Sequence, residues 1–97
     1  MQAVFDWDAL HPPVFIRTRA EGDRFQPIGM KGTKKVKDFF IDAKVPQEKR
    51  DKTAIFSDMK GIIWIAGHRQ SERGKISKHT NSFLRLSISK QEDTQHD

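Results

Sequence analysis

The chain has 97 residues and no cysteine, with 18 Lys and Arg against 13 Asp and Glu and a net charge of +5. That length suits a single domain with a modest core; the missing thiols exclude disulfides and thiolate zinc sites and fit a reducing, cytoplasmic setting. No apolar run approaches the roughly 20 residues of a membrane helix, the longest being Ile62-Ile63-Trp64-Ile65-Ala66.

The charge is concentrated. Between Arg17 and Lys37 lie seven basic residues (Arg17, Arg19, Arg24, Lys31, Lys34, Lys35 and Lys37) and two acidic ones (Glu21 and Asp23), so this quarter holds the whole surplus and the remainder is neutral. A basic segment of this kind points to a polyanionic partner.

Ala3 to Trp7 reads as a short strand. With acidic Asp6 and no basic region ahead of an apolar stretch, it is not a signal peptide. His11-Pro12-Pro13 breaks it. Val14 to Arg19 alternates as a strand should, with Val14, Ile16 and Thr18 on one face and Phe15, Arg17 and Arg19 on the other. Two arginines on one face can bracket a phosphate with bidentate forks; the competing reading is an ordinary outward face closed by a salt bridge to Asp23. Ala20-Glu21-Gly22-Asp23 is a turn, and Phe25 to Gly32 is a loop rich in Gly and Pro.

Thr33 is a candidate N-cap for a helix from about Lys34 to Lys44, with Val36, Phe39, Phe40 and Ala43 as its apolar stripe and Ile41 on the opposite side. On this reading Lys34 and Lys35 occupy the first turn, where the macrodipole opposes cations by roughly 0.3–1 kcal/mol each. With the glycines of Gly29-Met-Lys-Gly-Thr-Lys-Lys35 ahead of them they form a candidate phosphate-binding entry. The segment is not a Walker motif, and a flexible loop with solvated lysines competes with the phosphate reading.

Pro46 to Arg50 suits a second short helix. Thr53 to Ser57 and Gly61 to Ala66 are strands joined as a hairpin by Asp58-Met59-Lys60-Gly61, the second of them buried on both faces. Gly67 to Asn81 reads as a long loop, with or without a short helix. His68, Arg69, Arg73 and Lys75 fall there and are weaker binding candidates against a solvated charged loop. Ser82 to Ser89 is the last strand, with Leu84, Leu86 and Ile88 facing one way, and Lys90 to Asp97 a disordered tail. The fold class is α+β, mainly antiparallel β, with about two short helices. Phe39, Phe40 and Trp64 belong to the core; Phe25, in the basic loop, is the one aromatic candidate for contact with RNA, against the stronger reading that it anchors the core.

Catalytic readings are poor. His11, His68, His79 and His96 lack metal-ligand spacing, Asp38 and Asp42 read as a solvated helix face, and no nucleophile-elbow or Ser/His/Asp pattern occurs.

The stretch Phe15-Ile-Arg-Thr-Arg19, the run Gly22-Asp-Arg-Phe-Gln-Pro-Ile-Gly-Met-Lys-Gly-Thr-Lys-Lys-Val-Lys-Asp-Phe-Phe40, Lys44-Val-Pro46 with Arg50, Ile63-Trp64-Ile65, Gly67-His68-Arg69 and Arg85 together resemble the C-terminal domain of bacterial tRNA(Ile)-lysidine synthetase. The resemblance covers about Val4 to Ile88. It implies a small β-sandwich-like fold shared with the phenylalanyl-tRNA synthetase β subunit. It also implies a place at the end of a longer polypeptide, whose N-terminal domain uses ATP and Mg2+ to attach lysine to the wobble cytidine of tRNA(Ile). The Ser-Gly-Gly-x-Asp-Ser motif of that domain is absent from this sequence, so the fragment carries no catalytic motif or cofactor of its own. In the family this domain grips the tRNA acceptor region. Carried over, Arg17, Arg19, Arg24, Lys31, Lys34, Lys35, Lys37, His68, Arg69 and Arg73 become candidate RNA contacts, with tRNA and the catalytic domain as partners and no membrane. The alternative is an interdomain packing or dimerisation module with incidental basic charge, for which exposed Ile41 and the edge of the last strand would matter more.

Overall fold

The computed structural model describes residues 1–89; the expected tail from Lys90 to Asp97 lies outside them. Its centre is a four-stranded antiparallel sheet in the order β2 (Phe15–Arg17), β5 (Ile55–Asp58), β6 (Gly61–Ile65), β7 (Arg69–Gln70). The Asp58–Gly61 turn closes the expected hairpin, and Ile62 to Ile65 are buried, as a central strand requires. Register slips between Phe56 and Ser57: Phe56 pairs with Trp64 and Ser57 with Ile62, leaving Ile63 as the extra residue of a bulge. Ile63 and Trp64 therefore join the same core cluster instead of alternating.

Two layers cover this sheet. On one side β1 (Gln2–Asp6) pairs antiparallel with β8 (Phe83–Ser87), a ribbon made from opposite ends of the described chain. Phe5 fills the space against Trp64, which stacks on Phe56 at 5.2 Å, and Leu84, Leu86 and Ile88 pack in from β8 as their alternation predicts. On the other side Phe25, Val36, Phe40 and Val45 meet Ile55, Ile62 and Ile65.

The second layer differs from its sequence reading in one important way. Lys34–Lys35 is a strand, β4, paired with β3 (Arg24–Phe25); helix α1 begins only at Val36 and ends at Asp42. Thr33 caps nothing. Lys35 stands at the N-cap without a side-chain bond, and the Val36 N–H donates to the Asp23 carbonyl at 2.9 Å. The opposition of two lysines to the helix dipole thus does not arise, because neither occupies the first turn.

The C-terminal end of α1 is a Schellman closure: Lys44 N–H bonds the Ile41 carbonyl and Val45 N–H the Phe40 carbonyl, with Lys44 in the left-handed region at φ 57°. The apolar stripe consequently stops at Phe40, and Ala43 is exposed. Helix α2 (Gln47–Arg50) follows Pro46 as expected. Between Gly67 and Asn81 the chain forms β7 and then irregular loop, with no helix.

Candidate nucleic-acid interface

The β3–β4 ribbon sorts its four residues by face. Phe25 and Lys34 are opposite partners on the inner side: Phe25 is buried against Phe39, and the Lys34 ammonium pairs with Asp42 at the end of α1. Arg24 and Lys35 are opposite partners on the outer side, both exposed, with no carboxylate partner among the described residues. Arg24 rests its Nε and Nη2 near Thr33 Oγ1, at 3.4 and 3.3 Å. Lys31, in the loop closing the ribbon, and Lys37, one residue into α1, are likewise exposed and record no ion pair. Of these four predicted contacts, Arg24 and Lys35 share the outer side of the ribbon, and Lys35 and Lys37 line one cleft beside it.

Other candidates are committed to the protein itself. Arg17 holds both oxygens of Asp23, at 2.8 and 3.0 Å, and Asp23 also accepts the Ala20 N–H at 2.7 Å. Burial raises the Asp23 pKa, but the Arg17 hydrogen bonds, the Ala20 N–H and the Arg17 charge outweigh it and keep the carboxyl below its ordinary value. Arg17 therefore builds the 20–23 turn. Arg19 donates Nε to Asp51 at 2.8 Å and lies over the Phe40 ring at 5.8 Å, joining β2 to the end of α2.

Arg73 grips Asp58, whose side chain is 0% exposed, through two bonds of 2.8 and 3.0 Å. Asp58 also accepts the N–H groups of His11, Lys60 and Gly61, so this pair ties three loops together. Arg69 donates to the Ile28 carbonyl at 2.7 Å. His68 lies edge-on to Phe39 and Phe40, and partial desolvation there lowers its pKa although the residue stays largely exposed.

The glycine loop is also occupied. Gly29 donates its N–H to Glu72 at 2.8 Å, Ile28 N–H bonds Gln70, and Glu72 N–H bonds Gln26. The backbone donor that the sequence offered to a phosphate is used by a carboxylate of the same chain. Lys75 and the Gly29 N–H together hold Glu72 below its ordinary pKa. The loop is thereby clamped to the β7 side of the sheet. Its sequence separation from Glu72 hid this, as it hid Asp51 behind Arg19 and Asp58 behind Arg73.

Beside the ribbon lies a cleft of about 590 Å³ between the 20–23 turn, the β4–α1 junction and α2. Its basic lining side chains are Arg19, Lys35, Lys37 and Arg50; Glu21, Asp23 and Asp51 are the acidic ones. Sequence reasoning missed Arg50. Its Nε donates to the Val45 carbonyl at 2.8 Å, and only the fold brings α2 against Arg19, two residues beyond β2. Among the described residues no three His, Cys, Asp or Glu side chains converge on a metal position, and no helix is long and apolar enough to cross a membrane.

The α+β architecture, a four-stranded sheet covered on both sides, defines the class by its fold: small modules built like the N-terminal fragment of the phenylalanyl-tRNA synthetase β subunit from Pyrococcus horikoshii. That structure superposes with a TM-score of 0.75 over 87% of this chain and 26% of its own, at 17% identity, a likeness of fold alone. Residues 14–88 match the family model described as TilS substrate C-terminal domain, and the chain belongs to that family. A crystal structure of a TilS C-terminal domain superposes with a TM-score of 0.74 at 31% identity, covering 92% of this chain and 72% of that one. A tRNA(Ile)-lysidine synthase from Caldanaerobacter subterraneus subsp. tengcongensis is 42% identical over 87 residues, 90% of this chain and 19% of the relative. The synthase from Clostridium tetani is 43% identical over 84 residues, 87% of this chain and 18% of the relative. The chain thus spans about a fifth of the length of the curated relatives it matches.

Proposed function

We propose that this chain is the tRNA-gripping part of a tRNA(Ile)-lysidine synthase. It holds the acceptor region of tRNA(Ile) while a catalytic domain elsewhere on the same cytoplasmic polypeptide, using ATP and Mg2+, attaches lysine to the wobble cytidine.

The observation that carries this reading is the pair Arg24 and Lys35, set directly across the β3–β4 ribbon on its outer face with no carboxylate between them. Like charges directly opposite in a sheet cost roughly 0.2–1 kcal/mol. A polyanion lying across both offsets that cost, and a local conflict of this kind is tolerated where a ligand resolves it. Membership of a family whose relatives are named for a tRNA substrate supports the same partner. Two exposed cationic side chains on one face of the ribbon suit phosphate and ribose contacts, which is how RNA duplexes are mostly read.

The experiment is fluorescence anisotropy of labelled tRNA(Ile) with the 97-residue chain and with Arg24→Glu/Lys35→Glu. Reversing two phosphate-facing charges is expected to weaken binding about tenfold or more at moderate salt. Equal affinity for the wild type and the double variant would remove the ribbon from the interface.

A further inference from the structure

The cleft beside the ribbon carries charge of an unusual kind. Arg19 and Arg50 enter it from different elements, and each is tethered through Nε, to Asp51 and to the Val45 carbonyl respectively. Neither guanidinium records a further hydrogen bond from its two terminal nitrogens among the described residues. Tethering fixes the planes and leaves two donor forks available, the arrangement that binds planar or tetrahedral oxyanions best. Lys35 and Lys37 add point charges on the facing wall.

The balance of charge selects among oxyanions. Arg19, Lys35, Lys37 and Arg50 bring four positive charges to the cleft and Glu21, Asp23 and Asp51 three negative ones; Arg17, outside the lining, neutralises Asp23 and so leaves two positive charges in excess. An internal phosphodiester carries one negative charge and leaves that excess half met. A phosphate monoester carries close to two near neutral pH. No aromatic residue lines the cleft, so nothing there stacks a base. Its size lies within the roughly 300–1,000 Å³ of small-ligand pockets, room enough for a phosphate group.

We infer that this cleft binds the 5′-terminal phosphate monoester of the RNA that lies on the ribbon. Arg19 and Arg50 fork its oxygens, and Lys35 and Lys37 neutralise the remaining charge. The inference rests on the RNA-binding reading above and adds to it a chain end: the module would register where the tRNA strand begins, as well as hold a backbone. Free nucleotides carry the same group, and the test separates the two sources.

Two tRNA(Ile) preparations identical except for a 5′-monophosphate or a 5′-hydroxyl are titrated against the 97-residue chain. The monophosphate form is expected to bind about tenfold more tightly, the worth of one or two charge-assisted hydrogen bonds. Arg19→Gln/Arg50→Gln should bind both forms alike, at the affinity of the 5′-hydroxyl form. Lys37→Gln, exposed and outside any recorded ion pair, should narrow the preference without touching the fold, and thermal melts of each variant establish that it is folded. Equal wild-type affinity for the two RNAs overturns the phosphate site alone. Failure of the wild type to bind either RNA overturns this site and the reading beneath it. Micromolar binding of AMP on its own would assign the cleft to a free nucleotide and overturn the chain-end assignment.

Discussion

Replacing Arg73 by Met separates an architectural arginine from an RNA contact. In the folded chain its guanidinium makes two bonds, of 2.8 and 3.0 Å, to a carboxylate whose side chain is 0% exposed. Breaking one partner of a buried pair costs roughly 3–5 kcal/mol because the other charge is left unmet. Two features moderate this. Asp58 keeps the N–H groups of His11, Lys60 and Gly61, and Arg73 is 27% exposed, so water reaches the vacated side. A loss of about 2–4 kcal/mol follows, a large share of the roughly 5–15 kcal/mol that holds a domain folded. At about 4–8 °C per kcal/mol for a chain of this size, the melting temperature should fall by roughly 8–32 °C. Trp64, buried and stacked on Phe56, is a fluorescence reporter of the transition. Below its transition the variant should bind tRNA within about twofold of wild type, since a committed guanidinium gives little to the interface. A melt within two or three degrees of wild type (about 0.5 kcal/mol) would refute the hub assigned to Asp58, and a binding loss in the folded variant would return Arg73 to the interface.

Other outcomes follow from the same geometry. Asp23 has a folded pKa below its usual 3.8, so the unfolded chain takes up this proton first. Its stabilisation is therefore complete above about pH 5 and is lost as pH falls through the folded value, and Arg17→Gln should flatten that part of the urea-unfolding profile. Lys44 stands at φ 57° in the Schellman closure; Lys44→Gly should raise stability by up to about 1 kcal/mol and Lys44→Val lower it by about 1–2 kcal/mol in the same assay.

What the sequence made legible is local. The Ile55–Ile65 hairpin, the alternation of Leu84, Leu86 and Ile88, and the helix stripe Val36, Phe39, Phe40 each lie within one run of chain and follow from period and turn chemistry. The start of α1 was misread for a physical reason. The residues 33–36 are compatible with a capped helix, and only Arg24–Phe25, ten residues away, competes for the backbone of Lys34 and Lys35. The salt bridge to Asp23 was legible because it spans six residues, but the ion pairs formed over longer separations were illegible in the same sense. Arg19 finds Asp51 from 32 residues away and Arg73 finds Asp58 from 15, so a count of net charge overstated how many cations the surface offers. Lys34 shows the reverse face of this: strand alternation, once known, sends it inward to Asp42 while its neighbour Lys35 points out. The resemblance to a known family identified the module, but the division of its arginines into structural and available ones came from the fold.

The most direct test is a nitrogen–proton correlation spectrum of the isotopically labelled chain, recorded as unlabelled tRNA(Ile) is added. Amide shifts concentrated at residues 22–25, 31 and 33–37, with the β1–β8 ribbon around Trp7 and Phe83 silent, are what the account predicts. Shifts gathered at Trp7 and Phe83 while Arg24 and Lys35 stay unmoved would contradict it.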